Sequence, residues 1–278
     1  MHSTTRIQNL RAATICLTVA GLLALALPVA AIARPTVRLV AKAVPIPGFK
    51  GTGNFLGHGA AVEAKFTISG NESTGGVVSQ ITHLNFYLPA GTKLHRQGFV
   101  TCAPTTLENI GPSGCPKKSQ ASPIGSAGVV DPIGGELVKE NATLQAFFAP
   151  DGGLQFYANA ASPISAQLLV AKGHYIGAAK PYGLELSSEV ALVDSVPGAP
   201  PVSTESINIK VGSAYRHGKK VISYGTMPTS CPKEGFPVKA EITFATGETV
   251  PVEYRAPCPK NSHHSHGHHH KKSRKHKK

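Results

Sequence analysis

The chain of 278 residues contains no tryptophan, only two methionines and none of the short motifs that mark common enzyme classes. There is no G-x-S-x-G nucleophile elbow, no H-E-x-x-H zinc motif, no P-loop and no dinucleotide fingerprint. No complete set of catalytic roles can be assigned, so we predict a non-enzymatic protein without catalytic residues or a cofactor. The lack of tryptophan argues against an aromatic glycan platform, for which these residues are the candidates: Tyr157, Tyr175, Tyr182, Tyr215 and Tyr224.

Long apolar runs are also scarce, because a single one occurs and it lies near the start of the chain. Arg6 and Arg11 precede residues 12–33, which carry no charge and end in the small residues Ala31 and Ala33. This pattern predicts a signal peptide over residues 1–33, and an uncleaved signal anchor is the alternative. We therefore expect a secreted, extracellular or cell-envelope-associated protein with no transmembrane segment after cleavage.

Close C-x-x-C pairs are missing too, which argues against a zinc site built from cysteine. Cys16 lies in the predicted signal peptide and leaves four cysteines in the body of the chain. In an exported protein an even number of cysteines predicts disulfides. Four cysteines allow three pairings, and proximity in sequence favours Cys102–Cys115 and Cys231–Cys258. Each bridge would add about 3 kcal/mol of stability in the loop-entropy account.

The formal charge of +13 is distributed unevenly along the chain. All 15 acidic residues lie within residues 34–259, whereas residues 260–278 contain basic residues and histidines but no acid. With no large apolar residue to bury, this tail is predicted to be disordered.

Two interaction chemistries are available to the tail. Its imidazoles could bind divalent transition metals weakly, which makes these residues the candidate metal ligands: His263, His264, His266, His268, His269 and His270. Its cationic residues could bind an anionic envelope polymer or an anionic lipid surface, without specificity for nucleic acid: Lys271, Lys272, Arg274, Lys275, Lys277 and Lys278. A purely solubilising tail is the alternative.

Helical periodicity is nearly absent from the rest of the chain, and alternation of apolar and polar residues replaces it. Three examples are Val62–Ala64–Phe66–Ile68, Leu84–Phe86–Leu88 and Ile207–Ile209–Val211. Such alternation is typical of strands with one face toward a core. Together with 29 glycines and 22 prolines, it predicts an all-β protein, an antiparallel β-sandwich-like assembly with two local disulfides.

Two hairpins can be assigned a register from the same alternation. In the first, Phe148 is predicted to lie opposite Leu154, across the turn at residues 150–153. In the second, Phe244 is predicted to lie opposite Val250, which by extension places Phe236 opposite Cys258. Pro251 lacks a backbone donor and predicts that the last strand is an edge strand.

The predicted domain organisation is simple. Residues 34–50 form an extended, proline-containing lead-in, and residues 51–259 form one β body. The proline-rich stretch at residues 194–204 is a candidate sub-boundary, but residues 205–259 beyond it are few for an independent domain.

Acidic residues offer one further candidate for chemistry. Glu136 and Glu140 would share one face of a strand, and we expect that face to be exposed to solvent. Two acids become a glycosidase site only with a cleft and a suitable separation.

The cysteine segments resemble those of a group of secreted actinobacterial proteins of uncharacterised function. The resemblance rests on Cys102, on Cys115-Pro116-Lys117-Lys118-Ser119 followed by Ile124-Gly125-Ser126-Ala127-Gly128, and on Cys231-Pro232 and Cys258-Pro259, with the basic tail. It implies an extracellular β-rich fold and supplies no functional residues. Three functions are therefore open: a non-enzymatic protein held at the cell envelope by its tail, an extracellular module that binds a glycan or a small apolar ligand, and an extracellular hydrolase.

Overall fold

The computed structural model describes residues 34–70, 77–133, 136–161, 165–194 and 201–259. The predicted signal peptide and the basic tail, with their candidate metal and polyanion ligands, lie outside these residues. Residues 195–200 of the candidate sub-boundary also lie outside them.

The regular structure of the described residues is almost entirely β. The strands are β1 (Thr36–Val44), β2 (Ala61–Ser69), β3 (Ile81–Pro89), β4 (Lys93–Leu94), β5 (Gly125–Ile133), β6 (Glu136–Phe148), β7 (Leu154–Ala160), β8 (Ala166–Gly177), β9 (Tyr182–Val190), β10 (Ser203–Val211), β11 (Ala214–His217), β12 (Lys220–Ser223), β13 (Gly225–Thr226), β14 (Phe236–Phe244) and β15 (Thr249–Ala256). One short α-helix, α1 (Pro104–Ile110), and two 3-10 turns, Pro112–Gly114 and Lys117–Ser119, connect β4 to β5.

Eleven strands form one antiparallel sheet in the order β1-β2-β10-β5-β6-β7-β8-β9-β3-β14-β15. The first and last strands, β1 and β15, pack against each other, so the sheet curls into a nearly closed barrel. The predicted all-β antiparallel class and its two disulfides are confirmed. The two faces of a sandwich core are supplied here by opposite walls of a single curled sheet.

Strands from distant parts of the chain alternate within this sheet. Strand β10 lies between β2 and β5, and β14 lies between β3 and β15. Segments on both sides of residues 194–204 therefore complete the same sheet. The lead-in contributes as well, because β1 pairs along its whole length with β2.

The predicted alternation along β2 is confirmed, since Ala64, Phe66 and Ile68 are all buried inside the barrel. The residues between them face outward, where Glu63 lies within ion-pair distance of Lys42 and Lys65. One face of the strand thus enters the core and the other meets solvent, as period-two patterning requires.

The register of the first hairpin is confirmed, because Phe148 lies opposite Leu154. The register of the second is wrong by two residues: Ile242 lies opposite Val250, and Phe236 lies opposite Ala256 rather than Cys258. A tighter turn explains the shift. Gly247 has φ 83°, a conformation that glycine adopts without steric cost.

This turn brings the Phe244 amide to 2.9 Å from the Glu248 carbonyl oxygen. Because the shift is even, the apolar side chains of both strands still face the interior. Pro251 lies in β15, the last strand of the sheet, as its missing donor predicts.

Both predicted disulfides are present, with Cα–Cα distances of 5.4 Å for Cys102–Cys115 and 5.9 Å for Cys231–Cys258. The segment inside the first bridge folds as α1, a helix that the residue pattern does not predict. Pro104 begins this helix, where a missing backbone donor costs nothing. Leu107 is its buried residue and packs with the disulfide against Phe147.

One end of the barrel is covered by the long connections at residues 45–60, 90–124 and 212–235. These connections bond to one another: the amide of Ala60 donates to the carbonyl of Gly225, and that of His95 donates to Tyr224. The short pairing of β4 with β13 joins two of them. We call this the floor end of the barrel.

Candidate ligand cavity

The interior of the barrel contains a partly open cavity of about 300 Å³. Its wall is predominantly apolar and includes side chains from nearly every strand of the main sheet. A volume of this size lies at the lower end of the range for small-molecule sites.

Small inward-facing side chains explain why the interior is not filled. The wall contains these alanines: Ala41, Ala64, Ala127, Ala142, Ala158, Ala160 and Ala166. Barrel diameter grows with strand number, and side chains just fill the interior at about eight strands. Eleven strands with methyl groups at many inward positions therefore leave space.

Aromatic rings form part of the cavity wall toward the floor end. Tyr175 and Tyr224 line it, and Phe99 and Phe148 pack behind them with ring centroids 5.3 and 4.5 Å from that of Tyr224. We call these four residues the aromatic floor. Tilted and edge-on rings at such centroid distances pack favourably against one another.

The hydroxyl of Tyr224 has a hydrogen-bond partner in the turn between β6 and β7. It donates a hydrogen bond to the carbonyl of Gly152 at 3.2 Å. Burial raises the pKa of Tyr224 to about 12, because it disfavours the phenolate.

Two carboxyl groups line the cavity at the other end. Asp131 on β5 is 1% exposed and Glu140 on β6 is 7% exposed. Glu140 lies opposite Val129, two positions from Asp131, so the two acids are diagonal neighbours on one face. Diagonal neighbours of this kind lie about 7–8 Å apart at Cα. We call this pair the carboxylate end.

The carboxylate end and the aromatic floor are far apart. Glu140 and Phe148 lie on the same strand, separated by eight residues, which corresponds to about 26 Å along an extended chain.

The acids at the carboxylate end lack hydrogen-bond partners among the described residues. Neither oxygen of Asp131 is bonded, nor is Oε1 of Glu140. Ser188 on β9 also lines the cavity, is 3% exposed and has an unbonded hydroxyl. Such buried unsatisfied groups are uncommon in native proteins.

One further unbonded atom, Oε1 of Gln155, lies outside the cavity. This side chain is anchored beneath α1, because its amide donates to the carbonyl of Cys102 at 2.8 Å.

The outer wall of the barrel carries a polar cluster of a different kind. Tyr87 donates a hydrogen bond to Glu241 at 2.7 Å, and Lys239 lies within ion-pair distance of the same carboxylate. The hydrogen bond from Lys239 is the main cause that lowers the pKa of Glu241. Burial, followed by the bond to Glu241, raises the pKa of Tyr87. This cluster is internally satisfied.

The five candidate tyrosines do not form one platform. Tyr157 is buried with the first disulfide, and Tyr182 packs on the outer wall beside Tyr87. Tyr215 packs edge-on against Phe99. The other two, Tyr175 and Tyr224, belong to the aromatic floor.

The expectation of an exposed carboxylate face is wrong for Glu140. Glu136 is exposed at the start of β6, whereas the face it shares with Glu140 turns into the cavity farther along the strand. Asp131 was not among the residues predicted from the sequence. The sequence pattern could have indicated it. Ala127, Val129 and Asp131 are alternate residues of one strand, so an inward face for the first two predicts an inward position for Asp131.

In the part of the chain that the structure describes, no group of three or more histidine, cysteine or acidic residues is placed to hold a metal ion. Among the helices in those residues, none is long and apolar enough to cross a membrane.

Neither a protein-family model nor a curated protein matches this sequence. The cavity therefore has to be interpreted from its own geometry.

Proposed function

We propose that the protein is an exported, non-enzymatic module that binds a small apolar molecule inside its barrel. The observation that carries this proposal is the cavity of about 300 Å³ behind an alanine-rich wall. Burial of apolar ligand surface against such a wall gains about 25 cal/mol per Å². The aromatic floor and the disulfides favour a preformed site, which reduces the entropic cost of binding.

The chemistry of the wall favours an apolar ligand over a glycan or the polar substrate of a hydrolase. A sugar needs hydrogen-bond partners on most of its faces, and burying its hydroxyls without them is costly. The polar side chains that are buried in this wall are few, with Asp131 and Glu140 concentrated at one end.

A cavity-filling substitution tests the proposal. Ala142 is buried in the cavity wall, and Asn141 beside it on β6 is exposed. We expect Ala142→Phe to weaken binding of the neutral fluorophore N-phenylnaphthylamine by about tenfold or more. The added ring would occupy space that the ligand needs, and a steric conflict of this kind costs a few kcal/mol of binding free energy. The measurement is a fluorescence titration of the purified protein with both disulfides formed.

The matched control is Asn141→Phe, which adds the same ring to the outer face of the same strand. It should leave the affinity unchanged, and both variants should keep the circular dichroism spectrum of the parent. Equal loss in the two variants, or no binding by the parent protein, would contradict a ligand site inside the barrel.

We further propose that residues 260–278 hold the exported protein at an anionic envelope surface. Two disulfides favour an oxidising location. The clustered basic residues favour attraction to polyanions that weakens with salt. Weak binding of divalent transition metals by the tail histidines is part of the same proposal.

This second proposal predicts how the protein partitions between washed envelope and medium. The full-length chain should be retained at low salt and released at high salt, whereas a chain truncated after Pro259 should stay in the medium. Identical partitioning of the two chains would leave the tail as a solubilising appendage.

A further inference from the structure

The carboxylate end is the least satisfied part of the cavity wall. Asp131 is fully buried and neither of its oxygens is bonded to a described residue, and Glu140 beside it is nearly as buried. Ser188 adds an unbonded hydroxyl to the same cavity. The three side chains come from different strands and share one property, since each presents polar atoms to the interior space.

Burying a carboxylate without a partner is costly, and the cost rises in an apolar environment. The neighbouring cations do not compensate these acids. Lys139 precedes Glu140 but points outward, where it lies 3.1 Å from Glu205 and its side chain is 74% exposed. Lys42, at the edge of the wall, pairs with Glu63 at 3.5 Å.

A ligand can supply the hydrogen-bond donors that the described residues do not offer to Asp131 and Glu140. An ammonium group donates several hydrogen bonds and carries the charge opposite to that of a carboxylate. A hydroxyl offers one donor and no charge, and a carboxylate head would add a like charge beside Asp131 and Glu140.

From this we infer that the ligand is a cationic amphiphile, with its amine at Asp131 and Glu140 and its apolar body extending toward the aromatic floor. The inference rests on the proposed binding of an apolar molecule and adds the chemical class and the orientation of that molecule. Asp131 and Glu140 act as specificity-determining residues, because they select the head group while the alanine-rich wall binds the chain.

Three probes with the same alkyl chain and different heads test this inference: dodecylamine, dodecanol and dodecanoate. Dodecylamine and dodecanoate compete with N-phenylnaphthylamine below their critical micelle concentrations, and dodecanol competes below its solubility limit. We expect dodecylamine to bind about tenfold or more tightly than dodecanol, as hydrogen bonds to charged groups commonly exceed neutral ones by this amount. Dodecanoate should bind most weakly.

The variants Asp131→Asn and Glu140→Gln should each remove most of the preference for the amine, measured as the ratio of the dodecylamine affinity to the dodecanol affinity. The matched control is Glu136→Gln, which changes an exposed acid on the same strand as Glu140 and should have no effect.

A second measurement needs no ligand. If the acids are retained for binding, Asp131→Leu should raise the Tm of the unliganded protein by a few degrees, since a buried carboxyl group without hydrogen-bond partners is removed. The same variant should bind dodecylamine more weakly than the parent does.

Failure of the cationic-ligand inference can be distinguished from failure of the proposed binding inside the barrel. Failure of the fluorophore to enter the parent barrel would overturn both. Entry of the fluorophore with equal affinity for the three probes, or with the amine preference intact in Asp131→Asn, would overturn the cationic ligand alone.

Discussion

The two ends of the cavity differ in how completely their polar atoms are satisfied. At the floor, Tyr224 is enclosed by rings and its hydroxyl bonds to the backbone of Gly152. At the opposite end, Asp131 and Glu140 lie among alanines with oxygens that no described residue binds.

The two ends of one barrel therefore differ in how much their side chains stabilise the fold. The floor has the character of a structural core, because its atoms are packed and paired. The carboxylate end fits the proposed binding site, because its unpaired buried carboxyl groups stabilise the fold less than apolar side chains would and a bound ligand could pair with them. Substitutions at the two ends should therefore shift stability in opposite directions.

The largest expected effect comes from truncation of the floor. Phe148 is buried between Phe99 and Tyr224, so Phe148→Ala should lower the free energy of unfolding by about 3–5 kcal/mol through lost burial and a new cavity. Urea denaturation monitored by circular dichroism measures this. The exposed control Asn141→Ala should change stability by less than about 0.5 kcal/mol. A cost below about 1 kcal/mol for Phe148→Ala would remove the contrast between the two ends.

A smaller effect is expected in how the free energy of unfolding depends on pH, through the Tyr224 phenol in the floor. The pKa of Tyr224 is about 12 in the folded protein and 10.0 in its reference state. As pH rises from about 10 to 12, the unfolded chain loses this proton while the folded protein keeps it. Stability that is present below pH 10 is therefore lost across this window, on the order of 2 kcal/mol.

Tyr224→Phe should flatten that loss. The measurement compares urea denaturation of the parent and the variant at several pH values between 9 and 12. The difference between the two proteins isolates Tyr224 from the other groups that titrate in this range. Parallel curves would show that the floor does not enclose the phenol.

Local features of the fold were predictable from the sequence because local physics decides them. Alternation in residues 62–68 placed β2 correctly, and proximity paired Cys102 with Cys115. The first hairpin followed from the requirement that Phe148 and Leu154 share a face. The predicted register of the second hairpin was wrong by two residues, because the observed register depends on the turn at Gly247. Alternation of apolar and polar residues cannot distinguish one even register from another.

Closure of the sheet and the role of its acids depend on contacts between distant segments. Nothing in the sequence near Ser203 indicates that β10 inserts between β2 and β5. Without closure, an acid on a strand is reasonably assigned to a solvent face, as Glu140 was. Only a closed wall turns Asp131 and Glu140 inward together, and only then do the alanines of neighbouring strands define a cavity.

A crystal structure of the full chain grown with dodecylamine would test the central claim most directly. We expect an alkyl chain inside the barrel, with its nitrogen within hydrogen-bonding distance of Asp131 or Glu140 and its methyl end toward Tyr224. An interior closed by repacked side chains, or an amine bound only on the outer wall, would contradict it.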